Sequence, residues 1–215
     1  MDILSFPELT GATLSLMDID TIRLDTARQT VERLVAQVGA PATVEATLDQ
    51  RGAVHGAKYV IYAVQVGMHR ATLLDFDIPR KYGLRQTIAD TLGVGGIFRG
   101  LRSIPVMLLL LRDMEEVCPG ALFLKCVNPM STLCLAASRA SGIRTVGLCH
   151  SVQGTAHQLA GYLGVNAKRV GYRVAGINHM AWFLELTVDG HDAYPALREA
   201  MGSDTISRRT RCASR

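Results

Sequence analysis

A doubly wound α/β fold built on a parallel sheet is what this sequence predicts. Three observations predict it: short runs that are apolar on both faces, amphipathic stretches between them, and polar residues closing the runs. The first run, Thr13 to Met17, ends at Asp18. Leu24, Ala27, Val31, Leu34 and Val38 then recur at spacings of three and four, which is one face of a helix, and Gly39 stops it. Thr43 to Leu48 alternates like a strand, a Gly-punctuated turn follows, and Lys58 to Val66 is almost continuously apolar. A long helix is predicted from near Pro105, a good first-turn residue, to Glu116, just before Pro119-Gly120. Two further apolar runs, Ala121 to Val127 and Ile143 to Leu148, bracket a Ser/Ala-rich helix and close on Asn128-Pro129 and Cys149-His150-Ser151. Beyond them the pattern gives a helix from Gln153 to Tyr162 and a strand from Tyr172 to Ile177 ending in Asn178-His179. A hairpin strand from Phe183 to Val188, turning at Asp189-Gly190, completes it.

Composition narrows the function classes. The chain has 215 residues, 48% of them apolar, enough for a substantial core. The charge excess of +4 is spread along the chain apart from Arg208, Arg209, Arg211 and Arg215, a poor basis for nucleic-acid binding. The five cysteines lack the paired spacings of a zinc site or a disulfide framework, so reduced thiols in a cytoplasmic protein are expected. Val106 to Leu111, the longest strictly apolar run, is too short to span a bilayer, and the amino terminus is acidic where a signal peptide is basic. No membrane association is expected.

In an open parallel sheet, ligands sit beyond the carboxyl ends of the strands. Asp18, there, suits the ribose hydroxyls of a dinucleotide or, as readily, a helix cap. Gly67 follows the Tyr59 to Val66 run and permits close backbone approach, or simply a turn. Gly93-Val-Gly95-Gly96 has the look of a phosphate loop but follows no clear strand, so a flexible loop is the better reading. Asn128, held out of helix by Pro129, presents an amide to a ligand or shapes a turn. Cys149 and His179 form a candidate metal pair with His150 beside them, although their separation carries no spacing signature. His55, His69, His157 and His191 are expected on the surface.

Five ordered segments change the weight of these candidates: Leu16-Met-Asp-Ile-Asp20, Gln86-Thr-Ile-Ala-Asp-Thr-Leu-Gly-Val-Gly-Gly-Ile97, Val127-Asn-Pro-Met130, Val146-Gly-Leu-Cys-His-Ser-Val152 and Ala175-Gly-Ile-Asn-His179. In order and spacing the chain resembles the family 4 glycoside hydrolases from Asp2 to about Arg211. The Cys149-His-Ser-Val152 segment looks like the α-galactosidase form. Relatives acting on phosphorylated sugars carry an arginine where this chain has Thr72, so the resemblance favours an unphosphorylated sugar.

The resemblance implies NAD and Mn2+ as cofactors, a small glycoside as substrate, and an oxidative route. NAD takes hydride from the sugar C3, a base removes the acidified C2 proton, the glycosidic oxygen is eliminated, water adds and the ketone is reduced again, with the metal as Lewis acid. Carried over by position, Cys149 and His179 match the metal ligands, Asn128 the substrate-contacting asparagine, Asp18 the ribose-binding acid and Gly67 a cofactor-facing glycine. His150 stands where some members place the acid that protonates the leaving group. Asp90 matches an acid that supports a tyrosine base.

The resemblance also implies a Rossmann-like, dehydrogenase-related sheet lacking its first strand and Gly-rich loop, followed by the start of a second α+β domain. The expected domains are 1–150 for NAD and 151–215 for catalysis. An absent strand between the Leu14 and Tyr59 strands would leave open edges and poor stability. With no tyrosine assignable as base, a catalytically dead chain is expected, whereas full-length relatives are expected to be homo-oligomers. A 2-hydroxy-acid dehydrogenase-like oxidoreductase and a non-catalytic NAD-binding fragment stay open as alternatives.

Overall fold

The computed structural model describes residues 3–177 and 179–202. The chain divides into two compact units, one of residues 1–66, 100–125 and 133–146 and the other of 67–99, 126–132 and 147–215.

The first unit holds two sheets. β1 (Thr13–Met17) pairs in parallel with β2 (Thr43–Thr47), with Thr13 opposite Thr43 and Met17 opposite Thr47. β3 (Tyr59–Tyr62) pairs in parallel with β4 (Leu122–Lys125), and β5 (Arg144–Gly147) lies next to β4. No ladder joins the two sheets among the described residues. β1 and β3 each have one edge without a ladder partner among the described residues.

The connection from β1 to β2 is helical, as the spacing predicts, and a short helix also lies where the sequence suggests only a Gly-punctuated turn between β2 and β3. α1 (Thr21–Val38) starts at Asp20, whose side chain accepts the Arg23 N–H, and ends at Gly39 in the left-handed conformation. Both ends use residues that satisfy orphan backbone groups at low cost. The short α2 (Gln50–Val54) is tied to the long α4 (Gly93–Val117) by Gln50 Nε2, which donates to Asp113 Oδ2 at 2.7 Å, and by an Arg51–Glu116 ion pair at 2.6 Å. On α4, Met107, Leu111 and Met114 are almost completely buried, as are Phe123 on β4 and Leu133 on α5 (Met130–Ala140). Each is worth roughly 2 kcal/mol by transfer from water. By length and composition α4 could cross a bilayer. Those buried side chains make its carboxyl-terminal part a core helix. Tyr62 packs its ring on Phe123 at 5.6 Å between centroids, and its buried hydroxyl has no partner among the described residues. Burial pushes that phenol up to about 12.

The second unit contains α3 (Met68–Lys81), the first turns of α4, α6 (Ser151–Leu163) and an antiparallel sheet of β6 (Val170–Ile177), β7 (Met180–Val188) and β8 (His191–Asp192), followed by α7 (Tyr194–Gly202). Its core is Leu186, Ala193 and Leu197, with Leu159, Leu163, Phe183 and Tyr194 packed around them. Asp189 and Gly190, both at positive φ, make the tight turn their dipeptide predicts.

Several expectations are corrected. The longest helix begins at Gly93, with Pro105 inside it and not at its first turn. Gly93-Val-Gly95-Gly96 is accordingly the first turn of a helix and not a loop. β3 ends at Tyr62, short of Val66. α3 and α7 were not anticipated, and β7 starts at Met180, so β6 and β7 form the longest hairpin.

Candidate active site

The strands and helices set most of the candidate residues at element ends. Asn128 lies between β4 and α5, and its bond to Pro129 is cis. Cys149 and His150 lie between β5 and α6, His150 being the residue from which α6 starts. Gly67, at positive φ, precedes α3, and Asp90 lies in the connection from α3 to α4. His179 stands between β6 and β7. All of these belong to the second unit, whereas Asp18, just after β1, belongs to the first. Asn178 and the arginines from Arg208 onward lie outside the described residues, as does Cys212.

One pair of candidates is in direct contact. Asn128 Nδ2 donates to Asp90 Oδ2 at 3.1 Å, and the other carboxylate oxygen accepts from Thr91 Oγ1 at 2.9 Å. Arg99 on α4 donates from Nε to the Asn128 backbone carbonyl at 3.2 Å. The segment that carries Asp90 is itself fastened to α4. Gln86 Oε1 accepts the Gly95 N–H at 3.1 Å while its Nε2 donates to the Asp75 carbonyl at 3.0 Å. A Cβ at Gly95 would stand 2.7 Å from the Ala89 methyl, and one at Gly96 would stand 2.7 Å from the Thr91 carbonyl. The glycines at this helix start thus let residues 86–91 lie directly on α4, the role of close packing and not of a phosphate cradle. Thr91 and Arg99 carry no motif of their own, and neither was singled out from the sequence.

Cys149 is exposed, and its sulfur accepts the Ser151 N–H at 3.5 Å and lies 3.2 Å from Ser151 Oγ. His150 is exposed and its side chain does not cap α6. His179 has φ of 119°, a region that L side chains rarely enter. His55, His69, His157 and His191 are exposed, as expected.

Comparison with known proteins interprets this arrangement. The family 4 glycosyl hydrolase model matches residues 1–165, and that of the family 4 glycosyl hydrolase C-terminal domain matches residues 174–214. The chain belongs to family 4 of the glycosyl hydrolases. This family 4 chain is 46% identical over 198 residues to an alpha-galactosidase of Bacillus subtilis, covering 92% of its own length and 46% of the relative's. It is 42% identical over 190 residues to an alpha-galactosidase of Rhizobium meliloti, covering 88% and 39%. It spans less than half the length of these curated relatives. Among solved structures, it superposes with a TM-score of 0.80 on a 6-phospho-alpha-glucosidase from gut microorganisms in complex with NAD and Mn2+. There the identity is 22%, over 88% of this chain and 44% of the other, and establishes the Rossmann-like fold.

The donor chemistry of the family 4 chain suits a weakly held manganese ion. No group of three or more His, Cys, Asp or Glu side chains that could hold a metal occurs among the described residues. Cys149 and His179, both exposed, offer a thiol and an imidazole, donors of the kind such an ion accepts. Asp18 is already engaged: Arg23 donates to both its oxygens, at 2.7 and 3.1 Å, and the Asp20 N–H donates at 2.9 Å. The hydrogen-bonded Arg23 guanidinium holds the Asp18 carboxyl below the usual carboxylate value. It therefore stays an anion, able to accept from a diol with its remaining capacity. A concavity of about 550 Å³ opens instead at the amino-terminal ends of β3 and β4, where Lys58, Cys118 and Arg144 line it, and it contains none of these candidates.

Proposed function

We propose that this chain carries NAD- and manganese-handling residues of an enzyme that hydrolyses α-galactosides by transient oxidation at C3, elimination across C1–C2, water addition and re-reduction. The supporting observation is its 46% identity to an alpha-galactosidase over 92% of the chain, with Cys149-His150-Ser151 exposed at the head of α6. Bound NAD would supply reversible hydride transfer and a bound manganese ion Lewis acidity. Cys149 and His179 would hold the metal, Asn128 would bind a sugar hydroxyl, and His150 would give its proton to the leaving oxygen. Asp18 would accept the ribose hydroxyls, and Gly67 would let backbone approach the cofactor. Residues 1–150 would serve NAD and 151–215 catalysis. Thr72, where an arginine accompanies phosphorylated sugars, fits a neutral sugar.

Ligand-induced stabilisation tests the proposal without requiring turnover. A ligand at a hundredfold its Kd stabilises by about 2.7 kcal/mol. A melting titration of the full chain is expected to respond to NAD and MnCl2. Methyl α-D-galactopyranoside should add a further rise only when both are present, and methyl α-D-glucopyranoside a smaller one. A midpoint indifferent to all of these overturns the proposal, and an equal response to both glycosides overturns the galactose assignment.

A further inference from the structure

The contact between Asp90 and Asn128 fixes something the sequence leaves undetermined. A carboxamide has two ends of similar size and opposite hydrogen-bonding sense, and its neighbours decide which way it points. A carboxylate only accepts, so the 3.1 Å contact with Asp90 Oδ2 turns Asn128 Nδ2 toward Asp90 and its Oδ1 away. The Thr91 hydroxyl holds the second Asp90 oxygen, and Arg99 holds the Asn128 carbonyl. The Asn128 side chain is thus held from residues 86–91 and its backbone from α4, two stretches that Gly95 and Gly96 allow to pack together.

We propose that Asp90 is a positioning residue for substrate recognition: its carboxylate sets the Asn128 carboxamide so that the oxygen, an acceptor, is presented to a donating sugar hydroxyl. The inference rests on reading Asn128 as the substrate-binding residue. It differs from the support of a tyrosine base that the family resemblance implies for Asp90. Asp90 itself need not touch the sugar; it acts through Asn128.

The test is a double-mutant cycle on the full chain in NAD and MnCl2, titrated with methyl α-D-galactopyranoside. Asp90→Asn keeps the shape but can face Asn128 with either a donor or an acceptor. Asp90→Asn and Asn128→Ala are each expected to weaken binding about tenfold, and the double variant no more than Asn128→Ala alone, with NAD affinity unchanged. Parent-like binding by Asp90→Asn, or losses that multiply in the double variant, overturns the proposal. Should the parent bind no sugar, the functional reading fails, and the side-chain amide resonances of Asn128 in 15N-labelled protein decide the positioning claim. A downfield amide proton that shifts in Asp90→Asn supports it, and resonances indifferent to that substitution overturn it.

Discussion

Replacing His179 with glycine is expected to leave the metal-free chain at least as stable as the parent while lowering Mn2+ affinity about a hundredfold. At φ of 119° the His179 backbone sits where a Cβ is unfavourable. Such conformations cost of order 1–3 kcal/mol and persist where the surroundings impose them. Glycine relieves that strain and removes the imidazole. Losing a ligand costs at least as much affinity as losing a group behind one, about 10–100-fold. His179→Ala removes the imidazole but keeps the Cβ, so it should lose the metal equally and melt below His179→Gly. Thermal melts without metal and manganese paramagnetic resonance read the two effects separately. A glycine variant that melts well below the parent would assign His179 to packing.

Gly176→Ala should be far more damaging, by about 3 kcal/mol or more from combined backbone strain and steric overlap. A Cβ at Gly176 would stand 2.2 Å from the Met180 carbonyl oxygen and 2.5 Å from Ala181 Cα, and φ there is 132°. These are backbone atoms of the paired strand β7 and cannot swing aside. Gly171→Ala is the internal control, because its Cβ would meet only Thr187 Oγ1, at 2.6 Å, the end of a side chain that can rotate. Urea denaturation is expected to rank Gly176→Ala well below Gly171→Ala. Metal binding should fall with it, since Gly176 shapes the end of the hairpin that carries His179.

The alternation of strand and helix was legible because short apolar runs such as Leu122 to Leu124 alternate with stretches of helical spacing, although only one face of β4 is fully buried. The end of α1 marked by local chemistry was equally plain at Gly39, whereas the cap at its start is Asp20 and not Asp18, for which the sequence offered that role. What the sequence concealed lies where tertiary packing overrides local preference. Gly93, Gly95 and Gly96 weaken a helix by propensity, yet they begin α4 because residues 86–91 lie too close for any side chain. Pro105 reads as the first turn of a helix but stands inside α4. In the site, positions beyond strand ends were foreseeable from the fold, as with Asn128 and Cys149. The partnership of Asp90 with Asn128 joins residues 38 positions apart and carries no local signature, and the same holds for Arg99 with Asn128. The conformation of His179 is likewise a property of the completed hairpin.

X-ray absorption at the manganese edge, on the full chain with NAD and methyl α-D-galactopyranoside, addresses the metal pair most directly. A single sulfur neighbour in the manganese shell, lost in Cys149→Ala, together with imidazole scattering lost in His179→Gly, is the predicted result. A parent shell made of oxygen alone would contradict it.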